Sequence, residues 1–155
     1  MNAASTTQTE LAPDPTSIAR ALERLGPYLV RTPVHTWSGL ELAALVGRTT
    51  RVAVKMEFLQ HSGSFKARGA ILNMLALDPA SLARGVTAVS SGNHAIATAF
   101  AARQFDTTAK VVMLQSANPA RVELCRRFGG EVLLAPDGAQ AFKLADGLVA
   151  HEGRS

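Results

Sequence analysis

The chain has 155 residues, 47% of them hydrophobic and 18% charged, which is enough for one domain with a core and is neither a disordered nor a membrane-spanning composition. No apolar run reaches the ~18 residues that a membrane-crossing helix requires. The net charge of +4 is scattered over arginines rather than gathered into a basic run with interleaved aromatics, so nucleic-acid binding finds no support.

The first residues carry no positive stretch followed by an apolar one, so no signal peptide is expected, and residues 1–14 read as a frayed tail. Asp14-Pro15 offers a helix cap followed by a proline at the first helical position. Ile18, Leu22 and Leu25 then line one face, and Gly26-Pro27 ends the helix. Ser38 and Glu41 have capping-box spacing, and the helix they start runs to about Gly47 with Leu42, Leu45 and Val46 inward. Tyr28 and Trp37 are expected to be packing residues.

From residue 51 the pattern alternates. Strands are expected over Arg51–Leu59, Val86–Ser90, Ala109–Leu114 and Glu131–Ala135. The intervening helices are expected over Phe65–Leu77, Asn93–Gln104, from Asn118-Pro119 to Gly129-Gly130, and from Asp137 to about Ala150. The strands are short and nearly all apolar, as they are when both faces of a sheet are covered. The fold class is therefore α/β, a parallel sheet with helices on both faces. After the last helix the alternation is interrupted, with no closing strand before Ser155.

In such folds ligands bind beyond the carboxyl ends of the strands. Two strand-to-helix turns are chemically loaded. The first is Gln60-His61-Ser62-Gly63-Ser64-Phe65-Lys66. Ser62 and Ser64 are candidate caps, and Lys66 sits in the first helical turn, where the helix dipole disfavours a cation. Burial and like charge lower a lysine's pKa, as an imine-forming amine needs. An ordinary solvated lysine beside a capping serine satisfies the same pattern. The spacing of a nucleotide phosphate loop is absent.

The second turn is Ser90-Ser91-Gly92-Asn93-His94. Hydroxyls, a glycine and an amide at a helix N-terminus make a pocket for an anion such as a carboxylate. Ser91 or Asn93 acting as a plain helix cap, with His94 a surface or core histidine, is the alternative. His35, His61 and His151 are too widely spaced for a zinc site, so no metal is expected. The single cysteine, Cys125, excludes an internal disulfide and lies on an apolar helix stripe, which points to a buried thiol and a reducing, cytoplasmic setting.

The stretch from Lys55 to Ala70, with its Ser64-Phe65-Lys66-Ala67-Arg68-Gly69-Ala70 core, resembles the cofactor-lysine segment of threonine dehydratases and serine racemases, the fold-type II group of pyridoxal 5'-phosphate (PLP) enzymes. Ser90–His94 follows at that group's usual distance. Arg31-Thr32-Pro33-Val34 is similar to its opening strand, and Val111-Val112-Met113 and Arg126–Val132 to its later strands. The resemblance runs from about residue 15 to Ser155. It implies the tryptophan synthase β-like fold, here its N-terminal, small-domain portion. Residues 15–50 would be the opening part of a large domain, residues 51–155 the small domain, and the rest of the large domain would be absent.

The resemblance also implies roles. Lys66 would carry the cofactor on its amine and shuttle the substrate's α-proton, and Phe65 would pack against the pyridine ring. Asn93 would hydrogen-bond the phenolic oxygen. Ser91, Gly92, Asn93 and His94 would cradle the carboxylate, and Ser64 would act on the opposite face of the substrate. The implied activity is β-elimination of L-threonine or L-serine to a 2-keto acid and ammonia. A serine/threonine racemase is the alternative, and a non-catalytic PLP- or partner-binding module is the alternative of another class. The partner is a small amino acid, with neither nucleic acid nor membrane, and family members are commonly homo-oligomers. The family's glycine-rich phosphate loop and pyridine-nitrogen partner lie in its second half, so the 155-residue chain alone is expected to be weakly active or inactive. Departures from the pattern are Ile96-Ala97 for Gln-Gly, Leu114-Gln115 for Met-Pro, and Arg121 for a lysine.

Overall fold

The computed structural model describes residues 13–155; most of the expected tail lies outside them. The helices are α1 (Pro15–Leu25), α2 (Leu40–Val46), α3 (Lys66–Ala76), α4 (Pro79–Arg84), α5 (Asn93–Gln104), α6 (Pro119–Arg127) and α7 (Gly138–Glu152). The strands are β1 (Val34–Trp37), β2 (Val52–Lys55), β3 (Val86–Val89), β4 (Ala109–Leu114) and β5 (Glu131–Ala135). A short 3-10 turn, Glu57–Leu59, follows β2.

β3, β4 and β5 form a parallel sheet in that order. α5 packs on β3 and β4 together with α3 and α6, while α7 packs on all three strands and makes no substantial contact with α5. The sheet thus has helices on both faces, as its apolar strands require. The core gathers around α5, where eight consecutive residues from Ala95 to Ala102 are buried. Small alanines let α5 sit close between α3 and the sheet, and Ile71, Val111, Met113 and Cys125 fill the space around it.

The first expected strand departs from this plan. β2 is only four residues long and pairs antiparallel with β1, Val34 opposite Lys55 and Trp37 opposite Val52, so it takes no part in the parallel sheet. α4 is an addition to the expected elements, although Asp78-Pro79 repeats the signal of Asp14-Pro15; Asp78 Oδ1 accepts from Ser81 N at 2.8 Å.

The N-terminal helices do not point as expected. On α1 only Leu25 is buried, and Ile18 and Leu22 are exposed. α2 starts from Gly39 without a side-chain cap, and Leu45 is 83% exposed. Trp37 is exposed too, whereas Tyr28 stacks on Phe105 with ring centroids 5.0 Å apart. Helical periodicity finds an apolar face; it does not say whether anything covers that face.

The chain end turns back after α7. Gly153 adopts the left-handed conformation. Thr87 N donates to Ser155 O at 2.8 Å and Ser155 N donates to Gly85 O at 3.2 Å, the bonding of a parallel pair along β3. Arg84 Nε donates to Gly153 O and Arg154 Nη1 to Val86 O, fastening this turn. Gly85 is required here: its φ is +85°, and a Cβ would meet the Arg154 guanidinium and Thr108. No helix among the described residues is long and apolar enough to cross a membrane.

Candidate active site

Lys66 is the first residue of α3, and the turn before it is held from two sides. Gln60, buried, acts as an amide clamp on Val30: its Oε1 accepts from Val30 N at 3.0 Å and its Nε2 donates to Val30 O at 2.9 Å. Glu57 forms a two-point ion pair with Arg68, Nε to Oε2 at 2.9 Å and Nη2 to Oε1 at 2.7 Å. Thr32 Oγ1 also donates to Glu57, and Lys55 Nζ donates to Thr32 O. The side chains of the pair are 26% and 16% exposed. The Arg68 hydrogen bonds hold the Glu57 carboxyl below its usual pKa against the opposing effect of burial. This lattice joins residues 30–32, β2 and the start of α3, and so fixes where Lys66 emerges.

Neither of the caps expected in this turn, Ser62 or Ser64, is made. Ser62 Oγ reaches Ser64 O at 3.5 Å, and Ser64 Oγ is buried with no hydrogen-bond partner among the described residues. α3 begins without a side-chain cap. The Lys66 ammonium lies 5.2 Å from the Phe65 ring centroid, and Phe65 itself is exposed.

The second turn behaves likewise. Ser91 Oγ accepts from Leu114 N at 2.9 Å, and Ser90 Oγ accepts from Gly92 N at 3.2 Å. Both serines therefore brace the turn, and α5 starts with no side-chain cap. The first amides of a helix, here those of Asn93, His94 and Ala95, have no partner within the helix. By contrast α1, α4, α6 and α7 are all capped, by Asp14, Asp78, Asn118 and Asp137.

The fold brings the two turns together through α3 against α5. Burial holds the His94 pKa below its usual 6.5, and the Lys66 charge lowers it further. His94 also borders a groove of about 290 Å³ with Ala70, Met74, Thr98 and Ser155. Asn93 is exposed at the start of α5. The site is thus an amine on one uncapped helix N-terminus facing an imidazole and free amides on another, an arrangement suited to an anionic, carbonyl-reactive ligand.

Sequence reasoning overlooks Gln60, Thr32 and the Glu57–Arg68 pair. Arg68 stands inside the recognised motif, but only folding shows its carboxylate partner.

The family of pyridoxal-phosphate dependent enzymes matches residues 26–154. Phenylserine dehydratase of Ralstonia pickettii is 46% identical over 146 residues, covering 94% of this chain and 44% of that protein. Among solved structures, maize serine racemase superposes with a TM-score of 0.82 at 33% identity, over 92% of this chain and 43% of that one. The threonine deaminase of T.th. gives 0.77 at 37% identity, over 92% and 44%. The chain spans less than half the length of each of these proteins.

Proposed function

The chain belongs to the pyridoxal-phosphate dependent enzyme family, and from that membership we propose that it carries the lysine and the carboxylate cradle of an ammonia-lyase that removes the β-hydroxyl of L-threonine, L-serine or a related hydroxy-amino acid. The residues present suit PLP: Ser64 Oγ is buried without a partner among the described residues, and neither α3 nor α5 has a side-chain cap. When bound, the cofactor supplies the electron sink that stabilises negative charge at the substrate's Cα.

The chain's own residues do the rest. The Lys66 amine would hold the cofactor and would move the proton at Cα. Phe65, exposed beside it, offers a face for the cofactor ring. Asn93 carries the amide that would hold the phenolic oxygen. Ser91, Gly92, Asn93 and His94 hold the carboxylate through the uncapped start of α5, which orients the Cα–H bond toward Lys66. His94, kept neutral by burial and by the Lys66 charge, offers a ring that adds no like charge beside the amine. Loss of the hydroxyl with the α-proton, followed by hydrolysis, gives a 2-keto acid and ammonia.

The observation that carries this reading is the pairing of Lys66 with the uncapped Ser91–His94 turn. The test is to add PLP, trap any adduct with borohydride and map the modified peptide. Label on Lys66, lost in Lys66→Ala, together with keto-acid formation by protein of the relatives' full length, supports it. Label elsewhere, or none, removes it. A non-catalytic PLP-binding module would show the label and no turnover.

Ser64 favours a second reading. A buried hydroxyl without a partner among the described residues, two positions from Lys66, supports a role for Ser64 in exchanging a proton from the face opposite the lysine, which would make the enzyme a racemase. Formation of the D-amino acid, abolished by Ser64→Ala while elimination persists, would establish it. A reducing cytoplasmic location accords with the one buried cysteine, and assembly into homo-oligomers with the exposed apolar faces of α1 and α2.

A further inference from the structure

We propose that Arg121 is a substrate-contact residue, its guanidinium closing over the Gly92 turn to grip the carboxylate of the amino acid; this rests on the carboxylate-cradle reading above. A Cβ built on Gly92 would stand 3.3 Å from Arg121 Nη1. The guanidinium therefore lies directly against the Gly92 turn, close enough that a side chain there would push it aside by a few tenths of an ångström.

Its placement is fixed. Asn118 caps α6 with Oδ1 accepting from Ala120 N at 2.9 Å, Pro119 opens the helix, and Arg121 is its third residue. α6 packs against α5, with Cys125 Sγ 3.6 Å from Ala95 O. The later half of α6 is thereby anchored on the start of α5, and Arg121, one turn earlier on α6, extends its guanidinium to Gly92.

The electrostatics are one-sided. A cation in the first turn of a helix faces the positive end of the dipole and is disfavoured there unless an anion answers it. Among the described residues Arg121 takes part in none of the ion pairs. The neighbouring charge is again positive: Lys66 lies near His94, the residue two beyond Gly92. A carboxylate seated on the free amides of Asn93 and His94 would meet a planar two-point donor in Arg121 and relieve both strains. A lysine at the same position would offer a point charge without that fork.

The test is amide NMR of the 15N-labelled chain titrated with acetate against chloride at matched ionic strength, for wild type, Arg121→Gln and Arg121→Lys. Arg121 is exposed, so neither variant threatens the fold. Expected is a saturable shift of the Gly92, Asn93 and His94 amides in wild type, about tenfold weaker in Arg121→Gln and intermediate in Arg121→Lys, as for loss of one charge-assisted contact. Equal affinity in wild type and Arg121→Gln overturns the role of Arg121 and leaves the cradle standing. No acetate-specific shift at residues 92–94 in wild type overturns both.

Discussion

Lys66 and His94 are electrostatic neighbours: they stand on different helices, far apart in the chain, and the lysine's charge adds to burial in keeping the imidazole below its usual pKa of 6.5. One amine and one neutral ring therefore share a site that neither turn could form alone.

The pH behaviour of His94 follows. Its folded pKa is lowered, so the unfolded chain takes up the proton first as pH falls through 6.5, and the fold loses stability from there downward. Above that pH the residue contributes nothing to the balance. Proton NMR of the His94 ring should give a midpoint below 6.5. Lys66→Gln should raise that midpoint without restoring it fully, because burial is the larger cause. A His94 midpoint at or above 6.5 in wild type would contradict this geometry.

The Glu57–Arg68 pair makes a second prediction. Replacing either partner strands the other in a largely covered place, so Glu57→Gln or Arg68→Ala should cost about 2 kcal/mol, less than for a fully buried pair. The Glu57 pKa is lowered, so its contribution is present above pH 4.5 and lost as pH falls through the depressed value. Denaturant unfolding of both variants at about pH 7 and about pH 3, on either side of the ordinary carboxylate range, checks this. The gap to wild type should narrow at low pH for Glu57→Gln.

Cys125 should be chemically silent. Its side chain is fully buried against α5, and burial raises the thiol pKa. A thiol reagent should leave the folded chain unmodified over the time in which the denatured chain reacts completely. Labelling of native Cys125 at the denatured rate would mean that α6 does not pack on α5 as described.

Leu22 and Leu45 provide the opposite control. Periodicity marks both as core, yet they are 57% and 83% exposed. Leu22→Ala and Leu45→Ala should each change the stability of this chain by less than about 0.5 kcal/mol. Ile71→Ala, at a fully buried position, should cost about 3 kcal/mol. Thermal unfolding of the three variants separates the two classes.

These cases show where the sequence can be read. The starts of α1, α6 and α7 are legible because Asp14, Asn118 and Asp137 act on amides two or three residues away. The strands β3, β4 and β5 are legible because apolar runs between capped helices leave little else for them to be. Lys66 and the Ser90–His94 turn stand out as motifs. That α3 and α5 start uncapped does not, because Ser62, Ser64, Ser91 and Asn93 are all competent caps, and only the backbone path decides whether they cap.

What the sequence alone determined is therefore the local grammar: where helices begin, the βα rhythm, the family and the two turns that carry the candidate site. All but the family depends on interactions a few residues long. The tertiary structure decided what depends on distant partners. It paired β2 with β1 rather than with the parallel sheet, joined Arg68 to Glu57 and Gln60 to Val30, and left the apolar faces of α1 and α2 uncovered. It also laid Arg121 over Gly92 and returned Ser155 to the edge of β3. Each of these depends on which distant segments meet, or on none meeting, and no periodicity encodes that.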